Sequence, residues 1–65
     1  MHAAERITNV NGKNVIVVQA GDEWHVMVEE PGVASKVRTF NTEAYAASYA
    51  EGQRIRLHLD KVVHI

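Results

Sequence analysis

Val15-Ile16-Val17-Val18 places four Cβ-branched residues in a row, and no other stretch restricts the fold of this chain as much. Branching at Cβ stiffens χ1 and suits a pleated surface better than a helix. A short apolar run of this kind, bounded by turn residues, reads as a central strand. Turn residues do bound it. Upstream, Asn11-Gly12 is a strong two-residue hairpin signal, and a type I′ turn there would set Val10 opposite Lys13 and Ile7 opposite Ile16. Downstream, Gly21-Asp22 suits a type II′ turn, which sets Val17 opposite Val26, Val15 opposite Val28 and Gln19 opposite Trp24.

The second strand alternates from Glu23 to Glu29, with Trp24, Val26 and Val28 on one face and His25 and Met27 on the other. Pro31-Gly32 fits the two central positions of a type II turn, Gly32 supplying the positive φ. A two-residue type II loop matches strand twist poorly, which leaves room for a longer connection. Carried through without interruption, the register sets Val37 opposite Val26 and Ser35 opposite Val28, with Lys36 beside Met27 and Arg38 beside His25. The covered face is then Val15, Val17, Trp24, Val26, Val28 and Val37. The open face is Ile16, Val18, His25, Met27, Lys36 and Arg38, an apolar centre with a cationic rim. A slip of one residue would exchange the two faces.

Such a sheet needs a cover, and the segment from Phe40 to about His58 supplies the one helix. Asn41 is the expected N-cap, Glu43 suits the positive end of the helix dipole, and Phe40 is spaced to staple onto Tyr45. Tyr45, Ser48, Gly52, Ile55 and Leu59 recur at helical spacing and form the expected inward stripe, with Ala46, Ala50 and Leu57 on a second, weaker one. A competing reading ends the helix at Gly52 and makes Gln53 to Leu59 a strand with Ile55, Leu57 and Leu59 inward. Val62-Val63-His64-Ile65 reads as a short last strand after an Asp60-Lys61 turn. The fold expected for residues 1–65 is one small α+β domain: an antiparallel sheet of three to four strands, one helix packed on one face, and a short C-terminal strand.

Val17-Val18, Gly21, Trp24-His25-Val26, Phe40-Asn41-Thr42, the spaced Ala44, Ala47 and Ala50, and Val62-Val63-His64 together resemble a family of small bacterial domains of unknown function. The resemblance covers roughly residues 15 to 65. It implies a β-β-β-α-β arrangement and carries no activity, substrate or catalytic residue.

Sixty-five residues with no cysteine exclude a disulfide framework and a thiolate metal site, and a chain this short buries only about 60% of its unfolded surface. Association with another chain is the remaining route to a larger core. A formal charge of −1 argues against a general nucleic-acid or membrane-surface binder. The amino-terminal Met1-His2-Ala3-Ala4-Glu5-Arg6 lacks a signal-peptide core, so the expected setting is cytoplasmic, with no membrane partner. Four histidines without cysteine lack the paired spacing of a structural zinc site. Ser48, His58 and Asp60 supply triad residue types, but Ser48 falls on the expected packed stripe. Trp24 reads as a core anchor rather than a base-stacking platform. The chemistry therefore points away from an enzyme, with no catalytic residue, metal or cofactor. The expected function is a non-enzymatic interaction module, self-associating or binding another protein through the open face of Ile16, Val18, His25, Met27, Lys36 and Arg38, or through an edge strand. The alternative is weak nucleic-acid binding, with Lys36, Arg38 and His25 meeting phosphate.

Overall fold

The computed structural model describes residues 12–65. The expected hairpin at Asn11-Gly12, with its Val10–Lys13 and Ile7–Ile16 pairs, rests on residues 1–11 and lies outside the described ones. The described chain runs β1 (Asn14–Ala20), β2 (Glu23–Glu30), β3 (Val33–Phe40), α1 (Glu43–Arg56) and β4 (Val63–His64). The strands form one sheet in the order β3-β2-β1-β4, with the helix on one side of it. This is an α+β fold.

The first hairpin follows the turn chemistry of its loop. Gly21 has φ of 63° and Asp22 has no positive φ, as a type II′ turn requires. The pairs Val15–Val28, Val17–Val26 and Gln19–Trp24 form as expected. Alternation then places Val15, Val17, Val26 and Val28 on one face, all buried, with Trp24 half-buried beside them.

The helix covers that face with a different stripe from the expected one. Ala46 and Ala50 are buried against the valines, Tyr49 packs alongside, and Leu57 follows just past the helix end. Tyr45 and Ile55 are 70% and 58% exposed, and Ser48 and Gly52 are exposed too. The physical reason is volume. Val15 and Val26 are completely buried and already fill the space between the layers, so the helix can approach only with small side chains. The cap shifts as well: Thr42, not Asn41, is the N-cap, its Oγ1 accepting from the Tyr45 N–H at 3.3 Å. Phe40 consequently meets the Tyr49 ring, 5.4 Å between centroids, rather than the exposed Tyr45.

The helix ends at Arg56, past Gly52 and short of His58. The His58 N–H donates to the Ile55 carbonyl at 3.1 Å and the Leu59 N–H to that of Arg54 at 3.0 Å. This is Schellman pairing, which needs a left-handed residue after the cap; His58 takes it, at φ 60°. The reversal turns Leu57 and Leu59 into the core, so the alternation that read as a strand serves a helix stop instead. Arg54 secures it by donating from Nη1 to the Leu59 carbonyl at 2.9 Å and pairing with Glu51.

β4 pairs parallel with β1, Ile16 with Val63 and Val17 with His64, so the sheet is mixed rather than antiparallel throughout. β3 and β1 both run antiparallel to β2 and are therefore parallel to each other. A single helix leaving β3 returns the chain in β3's own direction, which delivers β4 parallel to β1.

Ala46→Leu is expected to cost about 1–3 kcal/mol by overpacking the helix–sheet contact. Ile55→Ala is expected to change stability by no more than about 0.5 kcal/mol. Urea unfolding of both variants checks this, and a larger loss from Ile55→Ala would restore the other stripe. His58→Gly removes the left-handed strain and is expected to raise stability by about 0.5–1 kcal/mol in the same assay.

Candidate interaction surface

The second hairpin decides which side chains share a face. Its loop is Pro31-Gly32, with Gly32 at φ 75°, and Glu30 pairs with Val33 directly across it. Beyond that pair the ladder shifts. Val28 pairs with Lys36, so Ala34 and Ser35 together oppose Glu29. This is a β-bulge, which adds local twist beside a turn whose own twist fits the strands badly.

Every residue after the bulge is displaced by one from the uninterrupted register. Met27 pairs with Val37, Val26 with Arg38, His25 with Thr39 and Trp24 with Phe40. Val37 therefore lies on the open face, not the covered one, and is 57% exposed. Lys36 and Arg38 lie on the helix side, not the open face. Of the six residues expected to form one surface, the structure brings together Ile16, Val18, His25 and Met27 and separates Lys36 and Arg38 from them. Val37 and Thr39 take their places. The signal that could have found them was the poor twist match of a two-residue Pro-Gly loop, which a bulge relieves.

The open face has little cationic character left. Ile16 is buried, and Val18, Met27 and His25 are half-buried. His25 Nδ1 is hydrogen-bonded to the Thr39 hydroxyl at 2.9 Å, and its Nε2 lies 3.6 Å from Glu23 Oε1. The first contact is a hydrogen bond and the second is too long to be one, and both partners lie on the same face as His25.

Lys36 and Arg38 project from β3 where the helix does not cover it. α1 reaches β3 through Tyr49, and Arg38 lays its guanidinium over the rings of Phe40 and Tyr49, 5.8 and 5.2 Å from their centroids. Val33 through Thr39 are all exposed, and β3 has a strand neighbour on one side only, so its other backbone edge is unpaired among the described residues. The acid nearest this region is occupied: Glu30 receives Arg56 on both oxygens, at 2.7 and 3.3 Å, which ties the helix end to β2.

The other side of the molecule has two concavities between α1 and β4. A cleft of about 220 Å³ is lined by Val17, Gln19, Trp24, Glu43, Ala47, His64 and Ile65. A broader, open depression of about 460 Å³ continues past Ala47 and His64 to Glu51, Arg54, Asp60 and Lys61. The cleft is smaller than a usual ligand pocket, and Arg54 in the depression is already bonded to Glu51 and Leu59. Ser48, expected on the packed stripe, is exposed, as are His58 and Asp60. Among the described residues no three His, Asp or Glu side chains are grouped to hold a metal ion. Among the same residues no helix is long and apolar enough to cross a membrane.

No family model matches the chain, and no curated protein or solved structure matches it either.

The hydrogen bond from Arg56 holds the Glu30 carboxyl below its ordinary value of 4.5, against the opposing effect of partial desolvation and with help from the charges of Arg56, Lys36 and Lys13. A carboxyl depressed on folding adds stability above its unfolded value, and that part is lost as pH falls through the folded value. Arg56→Gln is therefore expected to flatten the fall of melting temperature below pH 4.5, measured against the unsubstituted protein. An unchanged acid limb would show the pair to be energetically idle.

Proposed function

We propose that this domain is a non-enzymatic interaction module that takes up a partner strand along the free edge of β3. One observation carries the reading: an eight-residue edge strand exposed along nearly its whole length, with a row of backbone donors and acceptors unpaired among the described residues. The open-face Val37 adds an apolar contact beside that edge, continuous with half-buried Met27.

A second copy of the same strand is the less suitable partner. In a two-fold antiparallel pairing with both helices on one side, the registers centred on Lys36 or Val37, near the middle of the strand, set Lys36 opposite Lys36 or Arg38 of the other copy, and like charges directly opposite destabilise a sheet. The nucleic-acid reading has lost the arrangement that motivated it, since Lys36 and Arg38 do not share a face with His25 and Met27.

Panning a randomised octapeptide library against the full chain tests the proposal, with selected peptides mapped by amide chemical shifts. Selected peptides are expected to perturb Val33 to Thr39 and to slow amide exchange there. Peptides that leave β3 unperturbed, or mapping to the cleft at Trp24, would remove it.

A further inference from the structure

We propose that the strand received by β3 is acidic, carrying two carboxylates two residues apart with an apolar residue between them. This rests on the strand-docking reading and adds the partner's chemistry. β3 contains Lys36 and Arg38 and no acidic residue. The register puts both cations on one face of the strand with Val37 between them on the other. A strand added to this edge places side chains directly opposite them, on the same face, roughly 4.5–5.5 Å away at Cβ. Residues at that spacing in an extended peptide lie two apart. The residue between them falls opposite Val37, where an apolar side chain would cover exposed surface.

The cations are available for such a partner. Among the described residues neither Lys36 nor Arg38 lies within ion-pair distance of a carboxylate. Glu30, on the same face of the neighbouring strand, is held by Arg56. Arg38 is also preset. The guanidinium carbon lies over both the Phe40 and Tyr49 rings, cation–π contacts that favour one placement of the side chain. A carboxylate accepts from that fork with little further ordering of the side chain.

Two cations on a chain of charge −1 are few for a phosphate backbone, whose binding grows with the number of neutralised phosphates. The flanking Val33 and Val37 also suit a peptide better than a sugar-phosphate chain.

Three capped octapeptides test the proposal: Ser-Thr-Val-Glu-Val-Glu-Val-Thr and its analogues with Gln or Lys in place of both Glu. Each is titrated into the full chain at low and high salt, with amide shifts as the readout. The Glu peptide is expected to bind at β3 about tenfold more tightly than the Gln analogue at low salt, with the difference shrinking as salt rises. Lys36→Glu, at an exposed position, is expected to reduce or reverse the preference between the Glu and Lys peptides. Equal binding of all three at β3 would overturn the acidic preference and leave strand docking standing. No binding of any of them at β3 would overturn both. An oligothymidylate that displaces the Glu peptide from Lys36 and Arg38, and binds there more tightly, would overturn the proposal in favour of a phosphate chain.

Discussion

In a pleated strand the side chains alternate with a period of two, so one inserted residue reverses every side chain that follows it. The two residues Ala34 and Ser35 opposite Glu29 make that insertion, and the exterior of the molecule depends on it. Without it Val37 would lie under the helix side and two cations would rim the open face. With it the sheet's open face loses both cations and keeps the carboxylates of Glu23 and Glu29, and the helix side of β3 becomes a cationic shelf. The bulge lies immediately after a Pro-Gly turn, where extra twist is most useful to the two strands.

The second determinant is how closely the helix meets the sheet. Val15 and Val26 leave no solvent-exposed area, and Ala46 and Ala50 are the helix residues that sit against them. Small residues let the helix lie low over β1 and β2, while the larger Tyr49 reaches sideways to Phe40. That sideways contact ends the cover. Beyond it Arg38 closes over the two rings, and the remaining length of β3 stays exposed on both faces. The same low packing that makes the core compact thus leaves an edge strand bare among the described residues, and this links stability to the docking reading.

Much of the fold was legible because local chemistry acted alone. Gly21-Asp22 fixed the first hairpin and with it the pairs Val15–Val28 and Val17–Val26. The last strand and the existence of one helix were also readable. The helix phase was not, because apolar periodicity favours large residues such as Tyr45 and Ile55, whereas the space left by the valines admits alanine. The stop at His58 was hidden for a similar reason: a left-handed residue is usually Gly, so Leu57 and Leu59 looked like strand alternation. The candidate surface was half legible. Ile16, Val18, His25 and Met27 were placed together by the first hairpin, while Lys36 and Arg38 were misplaced by a bulge whose only trace was a twist mismatch.

The register of β2 against β3 is the claim on which both the surface and its proposed partner stand. Cross-strand nuclear Overhauser contacts in a uniformly labelled sample measure it directly. Backbone contacts joining Val26 to Arg38 and Trp24 to Phe40 are expected, with the Glu30–Val33 contact retained at the turn. Contacts joining Val26 to Val37 and Val28 to Ser35 would show an uninterrupted ladder, return both cations to the open face and contradict the account.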